Sequence, residues 1–333
     1  MQNNHIILIS RTDSIGDVVL TLPIAGIIKQ FIPQTKLIFL GRNYTKDVIN
    51  LSEHVDEFIS YDDILKLSEQ EQIEAFKKLN ATHIIHVFPV KEIALLAKKA
   101  AIKTRIGTTN RLWHWFTCNV RISLSRKNSD LHEAQLNTKL LAPLGISKEF
   151  STEELPLFYG FTKIPKLEEQ YLKLIDSSKT TIILHPKSKG SAREWGLDNF
   201  SNLINQLDKT HYQIFISGTA HEGELVKELI IKHHEVNDLT GKLSLQQFIA
   251  FINHCDVLVA ASTGPLHIAS SLGKKAIGLF APMRPIHPGR WKPIGLNAHY
   301  VVLNKDCSDC RKKMNCHCIR EIKTTEVIKL IEK

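Results

Sequence analysis

Two aspartates and a glycine interrupt the apolar sequence near the start of the chain, in ISRTDSIGDVVLTLP from Ile9 to Pro23. Gly16 permits a tight turn and a close approach of the backbone, and Asp17 then falls near the start of a segment with helical spacing. An aspartate in such a turn can act as a general base that accepts a proton from a hydroxyl. An aspartate there can equally cap the helix, and we assign Asp13 to that structural role.

A second turn, STGPLH, has the residues of an anion site. It follows the apolar run VLVAA, and Pro265 stands where proline is favoured in the first turn of a helix. Free N–H groups at a helix N-terminus bind anions, so Ser262, Thr263 and Gly264 would cradle a phosphate, with His267 one turn inside. The alternative is an ordinary N-cap and a structural histidine.

Two further turns carry polar groups directly after apolar runs. ILHPKSKGSAREW concentrates cationic and hydroxyl donors, as a diphosphate requires; these are Lys187, Ser188, Lys189 and Arg193. In ISGTAHEGELVKEL, Glu222 is placed to accept hydrogen bonds from ribose hydroxyls. The alternatives are a solvated basic loop and an acid that stabilises the first turn of a helix.

The segments that must position these turns are short apolar runs that alternate with longer stretches of helical period. This alternation predicts parallel sheets covered by helices on both faces. The predicted strands are HIILIS, KLIFL, THIIHVF and TRIG, then TTIILH, YQIFIS, DVLVAA and KAIGLF. We therefore expect two Rossmann-like domains, at residues 1–157 and 167–318, joined by a linker at 158–166 and followed by a helix at 319–333.

Composition narrows the class of protein. The chain has 333 residues, 43% of them hydrophobic, and a formal net charge of +9, which suits an acidic partner. No apolar run reaches the length that spans a bilayer, and the N-terminus lacks the basic region of a signal peptide, so we expect a soluble cytoplasmic protein. The absence of G-x-G-x-x-G and P-loop motifs argues against a dinucleotide oxidoreductase and a P-loop NTPase.

The order and spacing of five motifs resemble those of the glycosyltransferase family 9 heptosyltransferases, which build the inner core of lipopolysaccharide. The motifs are RTDSIGDVVLTLP, HPKSKGSAREW, SGTAHEGE, TGKLSLQQF and STGPLHIASSLGKKAIGLFAP. The resemblance implies a GT-B fold, in which two Rossmann-like domains face a central cleft. The acceptor would lie on the N-terminal side and ADP-heptose on the C-terminal side, and the transfer would be inverting, with no metal and no cofactor.

The resemblance also implies roles for individual residues. Asp17 would be the catalytic base, Arg193 would hold the donor phosphates with Ser188, Glu222 would contact the ribose, and Leu243 would pack on adenine. The TGP-x-H turn would lie beside the diphosphate, with Thr263, Gly264, Pro265 and His267. Two positions depart from the pattern of the family: Ser262 stands where some members have an aspartate, which leaves a neutral hydroxyl to contact phosphate, and Arg193 stands where others have a lysine.

A lipopolysaccharide acceptor is anionic and anchored in a membrane, so it is a partner that would account for the basic composition. We expect cationic and aromatic residues to dock the protein at the inner leaflet, namely Arg105, Arg111, Arg121 and Arg126 with Trp113, Trp115 and Phe116. The alternative is a basic loop with a few core aromatics.

Four cysteines crowd near the C-terminus, at Cys307, Cys310, Cys316 and Cys318. They could hold a structural zinc ion, but the last spacing is tight, and we favour thiols over metal.

The rival functions are a GT-B enzyme that uses another nucleotide sugar, such as a UDP-sugar transferase or epimerase, and a non-catalytic scaffold that binds lipopolysaccharide precursor. A nucleic-acid binder lacks support because no recognition module is present.

Overall fold

The described residues divide between two units, Met1–Lys163 and Ile164–Lys333. Each unit contains a parallel β-sheet whose strands are connected largely through helices, which confirms the predicted α/β class. The computed structural model describes residues 5–126, 129–284, 286–303, 307 and 317–333.

The sheet of the N-terminal unit has the order β3-β2-β1-β4-β5-β6, and neighbouring strands run parallel. Its central strand β1 is buried along most of its length, because a parallel sheet covered on both faces leaves no solvent side. The strands are β1 (Ile6–Ser10), β2 (Lys36–Gly41), β3 (Glu57–Ser60), β4 (His83–His86), β5 (Thr104–Thr108) and β6 (Val120–Ile122).

Helices fill the connections of this sheet, and α2 buries an apolar face that includes Ile24, Ile27 and Ile28. Short 3₁₀ helices lie at Asn43–Thr45, Lys139–Leu144 and Leu155–Phe158. The α-helices are α1 (Ile15–Val19), α2 (Pro23–Phe31), α3 (Lys46–Ile49), α4 (Tyr61–Ile64), α5 (Glu69–Lys78), α6 (Lys91–Lys99), α7 (His114–Thr117) and α8 (Glu133–Thr138).

The sheet of the C-terminal unit has the order β12-β11-β10-β7-β8-β9 and is again parallel between neighbours. Strand β10 is buried over its whole length. The strands are β7 (Thr180–His185), β8 (Tyr212–Ile216), β9 (Asn237–Asp238), β10 (Val257–Ala261), β11 (Lys275–Phe280) and β12 (Ala298–Val302).

The last helix packs into the core of the C-terminal unit, a docking site that the sequence does not reveal. Val327 and Ile331 join the same apolar cluster as Trp195, and the indole N–H of Trp195 donates to the carbonyl of Ile322 at 2.9 Å. No helix in the described part of the chain is long and apolar enough to cross a membrane. The helices are α9 (Glu169–Leu172), α10 (Leu197–Gln206), α11 (Ala220–Lys232), α12 (Leu245–His254), α13 (Gly264–Ser271), α14 (Pro288–Trp291), α15 (His317–Arg320) and α16 (Thr324–Glu332).

In each sheet, the direction in which successive strands are added reverses once. In the N-terminal unit the chain moves from β1 outward to β3 and then returns to place β4 on the other side of β1. In the C-terminal unit β10 returns beside β7 in the same way. Ligands of doubly wound sheets bind beyond the carboxyl ends of the strands at such switch points, so these two edges are where functional groups are expected.

Candidate functional site

Asp17 lies in the first turn of α1, shortly after the carboxyl end of β1. Its carboxylate accepts hydrogen bonds from the hydroxyl of Ser14, at 2.5 Å, and from the guanidinium of Arg11. The hydroxyl of Thr21 donates to the backbone carbonyl of Asp17 at 2.8 Å. The Asp17 side chain keeps 19% of its surface exposed, so a hydroxyl arriving from solvent can reach a carboxylate that is already held in place.

The structure corrects the role predicted for Asp13, which does not cap α1. The N-cap residue is Ser14, and no side chain makes a capping hydrogen bond there; Asp13 instead accepts from Nε of Arg11 at 2.7 Å. Burial raises the pKa of Asp13 to about 6, and the negative charge of Asp17 adds to the rise. The positive charge of Arg11 lowers the same pKa, but by less than burial raises it. Gly16, expected in the turn, is the second residue of α1 and is buried.

Arg11 is the centre of this arrangement, and sequence analysis missed it. The residue is 2% exposed and donates to three carboxylates: those of Asp13 and Asp17, and that of Glu133 through Nη1 at 3.2 Å. A guanidinium can do this because it carries five N–H donors in one plane. No local spacing predicts the contact between Arg11 and Glu133, since Glu133 lies 122 positions further along the chain.

A second arginine completes the network. Arg126 donates to Oε1 of Glu133 at 2.9 Å, and to Oδ1 of Asn137 and the carbonyl of Val87 at 3.1 Å each. The side chain of Glu133 is 1% exposed, so its charge is removed from water and balanced by two guanidinium groups. Arg126 therefore belongs to the support of the Asp17 turn, which corrects its assignment to a membrane surface.

The STGP turn in the C-terminal unit has the features of an anion site. Thr263 is the N-cap residue of α13, Gly264 is its first residue and Pro265 lies in its first turn, as predicted, but the Thr263 side chain makes no capping bond. Within the described residues, Oγ1 of Thr263 and Nδ1 of His267 are buried without a hydrogen-bond partner. A buried polar atom normally has one, so both atoms are available to a ligand. Ser262 is half-buried beside them.

Burial lowers the pKa of His267 to about 4. The imidazole is therefore neutral at pH 7 and contributes a hydrogen bond rather than a charge. In an anion site at this turn, positive potential would come from the start of α13 and from the basic loop after β7.

The loop after β7 is shaped by its own hydrogen bonds. Glu194 accepts from the backbone N–H and the hydroxyl of Ser188, at 3.0 and 3.1 Å, and from Nζ of Lys187 at 2.5 Å. The Ser188 hydroxyl also contacts the carbonyl of Ala192 at 3.0 Å. Ser188 is consequently buried in the loop, and Lys187 already has a counter-charge. Arg193 is half-buried two residues before Trp195.

Glu222 combines a structural role with a position at the predicted site. It forms a capping box with Thr219 at the start of α11, in which its Oε2 accepts from the Thr219 backbone N–H at 2.8 Å and from the Thr219 hydroxyl at 2.9 Å. The residue is buried. Glu222 does stand in the first turn of α11, as the alternative had it, but it acts there through the capping box, which occupies one carboxylate oxygen; a ribose contact would have to use the other.

Apolar and aromatic groups lie at the end of β7 and around the start of α12. Leu243 is half-buried in the bend before α12, whose N-cap is Ser244. The ring of His185 lies 6.3 Å from that of Phe248 and shares a 3.0 Å hydrogen bond with the hydroxyl of Ser217. Burial lowers the pKa of His185 to about 4. His185 was not among the predicted site residues, although it ends a strand directly before the basic loop.

The fold brings three of the predicted turns to one edge of the C-terminal sheet. Strands β10, β7 and β8 are neighbours in that order, and their carboxyl ends lead into the STGP turn, the basic loop and the Glu222 turn. Because parallel strands end at the same edge, anion-binding groups and a buried carboxylate face one region. This is the composition that a nucleoside diphosphate requires.

The cysteine cluster yields no assignment. Cys310 and Cys316 lie outside the described residues, while Cys318 is part of the apolar cluster of the C-terminal unit and Cys307 packs against it. No group of three or more His, Cys, Asp or Glu side chains that could hold a metal occurs in the part of the chain that the structure describes.

Comparison with known proteins agrees with this geometry. The model of glycosyltransferase family 9 (heptosyltransferase) matches residues 76–318. The chain is 22% identical over 289 residues to the lipopolysaccharide core heptosyltransferase OpsX of Haemophilus influenzae, covering 84% of this chain and 79% of that protein.

Two solved structures resemble the whole chain. A glycosyl transferase family 9 structure from Veillonella parvula has a TM-score of 0.77 at 19% identity, covering 100% of this chain and 99% of the other. The E. coli heptosyltransferase WaaC with ADP has a TM-score of 0.74 at 18% identity, covering 98% and 99%. These likenesses show the GT-B fold class that the motifs predicted. With the family model spanning most of its length, the chain belongs to glycosyltransferase family 9, the heptosyltransferases of lipopolysaccharide core biosynthesis.

Proposed function

We propose that the chain transfers heptose from ADP-L-glycero-D-manno-heptose to a hydroxyl of an inner-core sugar of lipopolysaccharide, with inversion and without a metal ion. The observation that carries the proposal is the Asp17 carboxylate, which is partly exposed at the switch point of its sheet and fixed by Arg11 and Ser14. A general base needs this combination of access and fixed orientation.

On the acceptor side, Asp17 takes the proton of the attacking hydroxyl. The acceptor oxygen forms a bond to the anomeric carbon as the bond from that carbon to the diphosphate breaks, and ADP leaves with the bonding electrons. Attack occurs on the face opposite ADP, so one displacement inverts the configuration. Asp17 ends the step protonated and returns its proton to solvent.

On the donor side, the residues of the C-terminal unit stabilise the charge that develops on the diphosphate. Thr263 and His267 offer buried polar atoms with no partner among the described residues, and the N–H groups at the start of α13 add their dipole. Ser262, Gly264, Ser188 and Arg193 complete the phosphate site, while Glu222 accepts from the ribose and Leu243 packs on the adenine.

The acceptor, a Kdo or heptose residue already joined to lipid, places the chain at the cytoplasmic face of the inner membrane. The basic composition supports this placement, since the acceptor and the inner leaflet are both anionic. Nucleic acid is not among the proposed partners.

Two measurements test the proposal. Calorimetric titration with ADP, UDP and NAD should show binding of ADP alone. A transfer assay with ADP-heptose and truncated lipopolysaccharide acceptors should then show product, with kcat reduced about 10²- to 10⁴-fold by Asp17→Asn and ADP binding retained. The matched control is Asp47→Asn, since Asp47 is also an aspartate in the first turn of a short helix of the same unit.

Each contrary result points elsewhere. Preference for UDP would replace the donor by another nucleotide sugar and keep the fold. Binding of ADP with full transfer by Asp17→Asn would remove the base assigned here, and binding of lipopolysaccharide precursor without any nucleotide would favour the scaffold.

A further inference from the structure

A single turn of the N-terminal unit exposes three large apolar side chains. Leu112, Trp115 and Phe116 lie in and just before α7, in the connection between β5 and β6, and are 75%, 54% and 70% exposed. Their spacing of three and four residues puts them on one face of a helical turn. The opposite face is buried, since His114 is inaccessible to solvent. Apolar side chains grouped in this way mark an interaction surface.

This turn is held firmly in position. The indole N–H of Trp115 donates to the carbonyl of Thr109 at 3.0 Å, and Nζ of Lys98 donates to the carbonyl of Phe116 at 2.9 Å. Beneath it, the Thr108 backbone N–H donates to Nδ1 of His114 at 2.9 Å. The exposed side chains therefore belong to an ordered element that presents them continuously to solvent.

The charged residues that surround this turn in the sequence are all basic. Residues 93–129 contain eight lysines and arginines and no aspartate or glutamate. Arg111 is exposed next to Leu112, and the guanidinium of Arg121 lies 4.7 Å from the centre of the Trp115 ring. Of the neighbouring lysines, Lys99 is paired with Glu69 from outside this segment.

The structure changes the set of residues that the sequence suggested for a membrane contact. Arg126 belongs to the Glu133 network. Arg105 donates to the backbone carbonyls of Ile102 and Thr117 and so supports the turn from inside. Trp113 is half-buried. Leu112, which sequence analysis passed over, is among the most exposed apolar side chains of the described residues.

We propose that Leu112, Trp115 and Phe116, with Arg111 and Arg121 beside them, form a docking surface for a membrane that contains anionic phospholipids. Aromatic and aliphatic side chains enter the boundary between headgroups and acyl chains, while guanidinium groups bind phosphate in the headgroup layer. An apolar centre with Arg111 and Arg121 beside it matches such a bilayer in both respects. This surface would hold the chain at the membrane where the proposed function places it, and its assignment rests on that proposed function.

The test is co-sedimentation of the full chain with vesicles, in the absence of donor and acceptor. Binding to vesicles of phosphatidylcholine with phosphatidylglycerol should exceed binding to phosphatidylcholine alone, and the excess should fall as salt rises. The pair Leu112→Ala and Phe116→Ala should weaken binding at least about tenfold, and Arg111→Gln about fivefold. The control pair is Leu225→Ala and Ile231→Ala, which removes two exposed aliphatic side chains from α11.

Circular dichroism and calorimetric ADP binding verify that each variant is folded. Equal loss in the control pair, or equal binding to neutral vesicles, would overturn the proposal. So would a concentration-dependent dimer that disappears in Leu112→Ala/Phe116→Ala without vesicle binding by the parent chain, because the surface would then join two copies. Since no sugar substrate is present, a negative result leaves the transfer assay and its outcome untouched.

Discussion

The guanidinium of Arg11 donates to one oxygen of the Asp17 carboxylate while the hydroxyl of Ser14 donates to the other. The carboxylate is therefore fixed at both oxygens, and the group that fixes it most firmly is itself buried. Glu133, the first residue of α8, binds Arg11 across 122 positions of the sequence. In the proposed mechanism Arg11 would therefore be a positioning residue, which acts on the reaction through Asp17 and does not need to touch substrate.

Replacement of Arg11 by lysine should lower kcat and leave the affinity for ADP unchanged. Lysine keeps the charge but cannot reach three carboxylates in one plane, so Asp17 loses its fixed orientation, and misplacement of a catalytic group by about 1 Å costs up to about 100-fold. The loss of partners for buried carboxylates should also lower the free energy of unfolding by about 3 kcal/mol. Steady-state kinetics, calorimetry and denaturant titration measure the three quantities.

The control for this variant is Arg42→Lys, since Arg42 pairs with Asp62 at 2.7 Å on the surface of the same unit. Arg42→Lys should change the free energy of unfolding by less than about 1 kcal/mol and leave kcat unchanged. If Arg11→Lys lost stability but kept the parental kcat and its pH profile, the network would be structural only.

Replacement of Thr263 by valine should weaken ADP binding about tenfold, the value of a hydrogen bond to a charged group. Stability should stay the same or rise, because Oγ1 of Thr263 has no partner among the described residues and valine has nearly the same shape. Calorimetry and thermal unfolding on the same samples separate the two effects.

Ser188→Ala provides the contrast in stability: Ser188 is also assigned to the phosphate site, but its hydroxyl already bonds within its own loop. It should lower the free energy of unfolding by about 1 kcal/mol. Unchanged ADP affinity in Thr263→Val would show that the Thr263 hydroxyl does not contact the diphosphate.

Glu222→Ala and Thr219→Ala should differ in nucleotide binding although both break the capping box of α11. Each should lower the free energy of unfolding by about 1 kcal/mol. Only Glu222→Ala should also weaken ADP about tenfold, through the lost ribose contact, while inorganic diphosphate binds both variants alike. Equal ADP affinity in the two variants would limit Glu222 to capping.

The α/β class and the turns of the site were predictable because both depend on local sequence. A strand covered on both faces has a nearly continuous apolar run, such as IIL in TTIILH and VLVAA in DVLVAA, and the turn that follows it is then found by position alone. Short or partly exposed edge strands give no such run. β3, β6, β9 and β12 were missed for that reason, since their residues are largely half-buried.

The support of Asp17 could not be predicted, because it depends on contacts between distant parts of the chain. Arg11 reads as one more basic residue in a turn until Glu133 is folded against it, and Arg126 looks like a surface cation for the same reason. Spacing within the sequence reports neighbours on one helix or strand, whereas an ion pair across 122 positions is visible only in three dimensions.

The N-terminal unit also contains a buried polar group that proton binding would disturb. Neither ring nitrogen of His86 has a hydrogen-bond partner within the described ranges, and the residue is inaccessible to solvent. Burial lowers the pKa of His86 to about 3, and the nearby groups His114 and Arg105 lower it further. His86 is therefore neutral in the folded state throughout the physiological range.

The chain should consequently lose stability as the pH falls below about 6.5, the pKa of an unfolded histidine. Between that value and about 3 the unfolded state binds a proton at His86 that the folded state does not, so the free energy of unfolding rises with pH, by up to about 1.4 kcal/mol per unit. His86→Leu should remove about 2 kcal/mol of the loss between pH 7 and pH 5, whereas the exposed control His234→Leu should remove none. Denaturant titration at both pH values measures the difference, and an unchanged loss in His86→Leu would mean that His86 is protonated in the folded protein.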